Sequence, residues 1–133
     1  MENKPLILLV DDNEEILSFI ADDLEDKYKV ITALNGQAAM DILHEQPVQL
    51  VISDVMMPVM DGFELCRIIK SDFESSHIPV ILLTARNTLQ SKIEGLELGA
   101  DAYIEKPFSP EFLQVQIANL LSNRHKIKSY YAT

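Results

Sequence analysis

Val51-Ile52-Ser53-Asp54-Val55-Met56-Met57-Pro58-Val59-Met60-Asp61-Gly62 opens as a strand and ends as a turn. Leu50 to Ile52 is a short apolar, β-branched-rich run, the pattern of a strand covered on both faces in a parallel sheet. Asp54 then stands at the carboxyl end of that strand, where the loops of an open α/β sheet form the ligand crevice. Pro58 cannot extend the ladder. Asp61-Gly62 supplies a cap followed by a permissive residue, so a turn and then a helix are expected.

Outward from this stretch the same grammar repeats. Leu6-Ile7-Leu8-Leu9-Val10 reads as a buried strand ending in Asp11-Asp12. Asn13 or Asp12 can cap the helix after it, where Ile16, Leu17, Ile20 and Leu24 recur at helical spacing. Tyr28 to Ala33 is a more polar strand, suited to an edge. Asn35-Gly36 makes a turn, and Ala38, Ala39, Ile42 and Leu43 mark a helix closed by Pro47. Phe63, Cys66 and Ile69 form the inward face of the helix that follows Asp54. Val80-Ile81-Leu82-Leu83 is a fourth strand ending at Thr84. A helix from about Asn87 uses Leu89, Ile93 and Leu96, with Gly99 placed to end it. Ala102-Tyr103-Ile104-Glu105 is a fifth strand that stops at Lys106-Pro107. Ser109-Pro110 gives a cap and a first-turn proline to a helix carrying Phe112, Val115, Leu120 and Leu121. Strands alternating with helices through short connections imply a doubly wound parallel sheet, helices on both faces, with right-handed crossovers.

Length and composition agree. A chain of 133 residues is one domain with a substantial core. No apolar run approaches the roughly 18 residues of a membrane span and no basic n-region with an apolar h-region opens the chain, so a soluble, cytoplasmic protein without membrane contact is expected. The single cysteine, Cys66, rules out an internal disulfide and reads as a small core residue. Of the net charge of -10, all 21 acidic residues precede Ser122, leaving that body at -13 and the tail from Asn123 at +3. So acidic a body repels nucleic-acid phosphates and is not itself a DNA or RNA reader. His44, His77 and His125 show no ligand spacing and are assigned no chemistry.

The polar residues that end the strands are the chemistry. Asp11, Asp12, Asp54, Thr84 and Lys106 should converge on one rim. Read alone, Asp11-Asp12 is a helix cap as readily as a ligand pair, Lys106 is a surface lysine and Tyr103 is core packing. Together they are a site. Clustered carboxylates raise one another's pKa unless a cation intervenes, and a hard ion, Mg²⁺ or Mn²⁺, tolerates a few carboxylates with a phosphoryl oxygen. An ammonium and a small hydroxyl beside them complete a pocket for a phosphoryl group on Asp54.

The sequence resembles the receiver domains of two-component response regulators. The matching blocks are Leu9-Val10-Asp11-Asp12-Asn13, the stretch from Ser53 to Gly62, Leu83-Thr84-Ala85, Gly99-Ala100-Asp101-Ala102-Tyr103 and Lys106-Pro107-Phe108, over residues 5 to about 121. The resemblance implies a flavodoxin-like (βα)5 sheet of strand order 2-1-3-4-5. It implies that Asp54 takes a phosphoryl group from the phosphohistidine of a sensor histidine kinase, by self-catalysed transfer with slow autodephosphorylation. Asp12 would bind Mg²⁺ directly, Asp11 through water and Met56 through its backbone carbonyl. Thr84 and Lys106 would contact the phosphoryl oxygens, Lys106-Pro107 would be cis, and Tyr103 would turn inward as Thr84 moves. The surface around the fourth helix, fifth strand and fifth helix would change, with a phosphorylation-dependent dimer as one outcome.

Rivals of other classes fit less well. A flavodoxin-like electron carrier needs a Ser/Thr/Gly-rich phosphate loop after the first strand, where Asp11-Asp12 would repel the flavin phosphate. An aspartyl-phosphate hydrolase usually carries a second Asp two positions after its nucleophile, and Met56 stands there. Residues 1-122 are therefore expected to be the receiver domain. Residues 123-133, where the charge reverses and Ile127, Tyr130 and Tyr131 have no core left to join, are expected to start a linker to an output domain beyond Thr133. The fifth helix from Ser109 to Leu121 has no Lys or Arg, unlike winged-helix regulators that pair through basic residues there. The tail more resembles hybrid sensor proteins with an AraC-type helix-turn-helix, making transcription the expected output. The alternative is a stand-alone receiver acting by protein contact or phosphorelay.

Overall fold

The computed structural model describes residues 3–132, with side chains described through residue 123. Strands β1 (Leu6–Val10), β2 (Lys29–Ala33), β3 (Leu50–Ser53), β4 (Val80–Thr84) and β5 (Ala102–Glu105) alternate with helices α1 (Glu14–Leu24), α2 (Gly36–Glu45), α3 (Gly62–Ser71), α4 (Leu89–Glu97) and α5 (Pro110–Ala132). All strand pairs are parallel in the order β2-β1-β3-β4-β5. The expected flavodoxin-like topology is therefore observed, and its order reverses between β1 and β3, whose tips carry the acidic residues. No helix among the described residues is long and apolar enough to cross a membrane.

The pleat sorts each strand onto two cores, because successive side chains point to opposite faces. Leu8, Val10, Val51 and Leu82 pack with Phe63, Leu65, Cys66 and Ile69 of α3. Ile7, Leu9, Ile52, Ile81 and Leu83 pack with Leu17, Ile20 and Leu24 of α1 and with Leu113 and Ile117 of α5. Each fully buried aliphatic side chain stabilises the fold by about 1.5–3 kcal/mol relative to exposure. That explains why the central strands contain almost nothing but Leu, Ile and Val.

Each strand-to-helix loop ends in a side-chain cap. The Asn13 side chain accepts from the Glu15 and Ile16 amides, Asn35 from Ala38, Asp61 from Glu64, Thr88 from Ser91 and Ser109 from Phe112. These bonds satisfy helix amides that have no partner within the helix. Gly99, at φ +102, ends α4 with its N–H on the Leu96 carbonyl. The Lys106-Pro107 bond is cis, as expected.

Several expectations are corrected. Asn35-Gly36 is a cap and the first residue of α2 rather than a free turn. Gly36 is buried because Met60 lies 2.7 Å from where a β-carbon would stand. Tyr28 precedes β2, its amide still bonded to the Leu24 carbonyl at the end of α1. On α4 the expected inward residues Leu89, Ile93 and Leu96 are exposed by 72%, 38% and 46%. The residue that faces in is Gly95, which lets the Tyr103 ring lie against the helix. On α5 Phe112 and Val115 are about half exposed while Leu113 and Ile117 are buried. Helix α5 continues to Ala132, through the charge reversal, which leaves the expected linker start at residue 123 neither met nor refuted. The side chains expected to mark the linker, Arg124 to Tyr131, lie outside the described ones.

Candidate functional site

The strand tips do converge. The ladder runs one residue past β1 and β3, with the Asp11 amide donating to the Ala33 carbonyl at 3.1 Å and the Asp54 amide to Val10 at 2.9 Å. Both carboxylates are thereby held by rigid sheet. Asp11 and Asp54 are buried, 5% and 9% exposed, whereas Asp12 faces solvent. Carboxylate oxygens of Asp11, Asp12 and Asp54 all lie within 4.8 Å of one another.

Lys106 is brought in from β5, its amide bonded to the Thr84 carbonyl. Its ammonium donates to Asp11 Oδ2 at 3.0 Å and stands 3.8 Å from Asp54 Oδ1. One cation against three clustered carboxylates leaves the rim acidic. Asp54 shows the strain in its titration: burial pushes its pKa above the ordinary range, Lys106 pulls it back, Asp11 pushes it up again, and the Val55 and Met56 amides lower it. The Val55 N–H donates to Asp54 Oδ1 at 2.8 Å. Three oxygen donors with unspent negative charge are the donor set of a hard divalent cation.

Gly62 fixes the loop beneath the carboxylate. A β-carbon there would collide with the Asp54 carbonyl, and the Gly62 amide donates to Val55 at 2.8 Å. Thr84, fully buried at the tip of β4, accepts the Arg86 amide on its Oγ1 at 3.1 Å. Tyr103 donates its hydroxyl to the Arg86 carbonyl at 2.8 Å, and the Arg86 guanidinium lies 5.6 Å from the centre of the Phe63 ring. Arg86 thus ties the loop after β4 to both β5 and α3. The Met56 side chain is 59% exposed.

All the expected site residues, Asp11, Asp12, Asp54, Met56, Thr84 and Lys106, lie at this carboxyl rim, with Tyr103 on β5 joined to it through Arg86. Sequence reasoning missed two features. One is the contact between Arg86 and Phe63. The other is an apolar shelf beside Lys106 formed by Ile16, Phe19, Pro107 and Phe108, with the Phe19 and Phe108 rings edge to face at 6.5 Å. Phe19 falls off the inward spacing of α1, and that displacement was the available signal. A groove of about 920 Å³ opens at the other end of the sheet, among Lys4, Tyr28, Lys29 and Pro47, and shares none of these groups.

A five-stranded sheet in this order, with carboxylates, hydroxyl and lysine at its carboxyl rim, is the arrangement of a two-component receiver. The chain belongs to the response regulator receiver domain family, which its residues 7–118 match. Among its relatives, Histidine kinase P4 of Formosa agariphila is 44% identical over 131 residues, 98% of this chain and 10% of that protein. The probable transcriptional regulator ycf27 of Guillardia theta is 39% identical over 127 residues, 95% of this chain and 49% of that one. The signal receiver domain of a signal transduction histidine kinase from Syntrophus aciditrophicus superposes with a TM-score of 0.84 at 37% identity, covering 90% of this chain and 91% of that one. The chain therefore spans about half, or a tenth, of the curated relatives it matches.

Proposed function

We propose that Asp54 is the phosphoacceptor of a phosphorylation-dependent switch. An Asp54 carboxylate oxygen attacks the phosphorus of a phosphohistidine on a sensor kinase, the P–N bond breaks and the imidazole leaves with its electron pair. The observation that carries this reading is the 3.8 Å approach of Lys106 to a buried Asp54 within a three-carboxylate cluster. An ion pair with Lys106 would account for Asp11 and Asp54 but not for Asp12, whose carboxylate completes the cluster. Asp11, Asp12, Asp54 and the Met56 carbonyl would hold Mg²⁺ or Mn²⁺, which when bound offsets the charge on the transferring phosphoryl group. Lys106 and Thr84 would take phosphoryl oxygens, acting where charge gathers in the transition state. The exposed apolar shelf of Phe19 and Phe108 beside Lys106 supports a protein donor, since contiguous apolar surface marks contact sites.

The output runs through Thr84 and Tyr103, joined by Arg86, to the surface of α4, β5 and α5. Relatives named as a transcriptional regulator and as a histidine kinase support an output domain joined to this one, in the cytoplasm, with control of transcription as the outcome. Reading the gene past Thr133 tests that part, and a stop codon there would refute the linker. The phosphoacceptor itself is tested with acetyl phosphate. Intact mass should rise by about 80 Da, one phosphoryl group, only when a divalent ion is present. The Asp54→Asn protein should gain nothing, and an equal gain there would overturn the assignment.

A further inference from the structure

The amino end of the sheet, opposite the acidic rim, carries a knob and a groove side by side. The knob is Phe73, 94% exposed and the most exposed large apolar side chain among the described residues. Its loop is tied down. The Ser75 and Ser76 amides donate to the Asp72 carbonyl, the Glu74 amide to the Asp72 carboxylate at 3.0 Å, the Ser75 hydroxyl to the Ile69 carbonyl at 2.7 Å and the Lys70 ammonium to the Ile78 carbonyl at 2.7 Å. A fixed backbone thus holds the ring out in water, where it can be buried with little ordering of the loop. The groove is the one of about 920 Å³ at the starts of β1, β2 and β3, and His77, four residues after Phe73, forms part of its wall. Its apolar lining includes Leu6, Tyr28, Val30 and Pro47, with Lys4 and Lys29 among them. Among the described residues neither lysine has a carboxylate partner: Lys4 donates to the Glu25 carbonyl, and Lys29 has no ion pair. Two lysines against the one carboxylate of Glu25 leave the groove positive on a chain of net charge -10. Phe73, by contrast, is flanked by Asp72 and Glu74.

We infer that this end of the sheet is a self-association surface, in which Phe73 of each copy enters the groove of a second copy. An aromatic ring with acid on both sides complements an apolar groove with ammonium groups on its walls. Because knob and groove share one end of the molecule, a two-fold axis between them satisfies both at once. Each copy gives one Phe73 and receives one, the isologous pattern of a closed dimer. A partner of another kind would have to bring an acid-flanked aromatic of its own, which a second copy already carries. The contact is small, so pairing is weak and depends on concentration. It leaves the acidic rims of both copies at the far ends of the dimer and does not rest on the phosphoacceptor reading.

Sedimentation equilibrium of the full chain, in chelator and without a phosphoryl donor, tests this. Average mass should climb from 15.0 kDa toward twice that value between about 10 μM and 1 mM, the span of weak association. The climb should be shallower in about 0.5 M salt, which screens the charges. Phe73→Ser should weaken pairing about tenfold or more, since each dimer loses two rings. Leu89→Ser, at an exposed position on α4, should leave it unchanged. Lys29 and Glu74 are both exposed. Lys29→Glu and Glu74→Lys should each stay monomeric alone, and an equimolar mixture of the two should pair. In the mixed dimer one contact is native and in the other both charges are reversed. A mass of 15.0 kDa at every concentration overturns the inference. So does a dimer that survives Phe73→Ser, that is lost in Leu89→Ser, or that the mixture fails to restore.

Discussion

Replacing Asp12 with Asn should make the metal-free protein more stable, against the usual expectation for a substitution in a functional site. At 4.8 Å, the widest separation in the cluster, two carboxylates repel by about 0.9 kcal/mol in bulk water and about 3.5 kcal/mol at an effective dielectric of 20. Asp12 is exposed, so the lower figure governs its pairs with Asp11 and Asp54, about 2 kcal/mol together. Against this, a carboxylate beside the first turn of α1 gains about 0.5 kcal/mol from the helix dipole, which Asn forfeits. The repulsion wins by about 1–1.5 kcal/mol, a rise of roughly 3–6 °C in Tm for a domain of this size. Mg²⁺ should close the gap, since a ligand at ten times its Kd adds about 1.4 kcal/mol to the native protein and less to a variant missing one oxygen donor's charge. Thermal unfolding of both proteins in chelator and in millimolar Mg²⁺ measures all four values. Equal Tm in chelator, or the same Mg²⁺ increment in both, would refute the reasoning.

Three further outcomes follow from the same structure. Burial raises the Asp54 pKa, so its contribution to stability is present at low pH and is lost as pH rises through the folded value. Asp54→Asn should therefore raise Tm at neutral pH without metal, with the difference shrinking toward the ordinary carboxylate range; a pH-independent difference would contradict the burial argument. With Asp54 as the proposed phosphoacceptor, Met56→Asn puts a water-holding amide on an exposed side chain two residues away, and should shorten a phosphoryl half-life expected in the native protein to be many minutes or more; a native half-life of seconds, timed by intact mass, defeats this. Leu113→Ala, in the core at 1% exposure, should cost about 2–5 kcal/mol in urea unfolding, and Phe112→Ala, half exposed, under about 1 kcal/mol. The reverse order would mean that α5 faces the other way.

The sheet and the rim were legible in the sequence for one reason. Every central strand is an apolar run that leads into a residue with a charge or a hydroxyl, so strand ends and site residues announced each other at Asp11, Asp54 and Thr84, while Lys106 was marked by the proline after the edge strand β5. The outer helices were less legible because apolar spacing was the signal, and there it misled. On α5, Phe112 and Val115 compete with Leu113 and Ile117 for the inward face, and the pattern cannot choose between adjacent stripes. On α4 the inward position is Gly95, which no count of apolar side chains can register. The Arg86 contact with Phe63 joins the loop after β4 to the first turn of α3, which only the folded chain brings together.

Gly95 has a consequence for the timescale on which different parts of the molecule open. Among the described residues it is the only buried member of α4, so that helix meets the sheet where the Tyr103 ring and the Leu82 side chain lie against a bare stretch of backbone. Helices α1 and α3 drive three or more side chains each into the core. Local opening free energy follows buried apolar contact. Amide protons of α4 should therefore exchange through a local opening that leaves β1, β3 and β4 protected, and at rates that change when the Arg86 carbonyl loses the Tyr103 hydroxyl. The helix least anchored in the protein is thus the one that the rim can move at least expense to the rest of the fold.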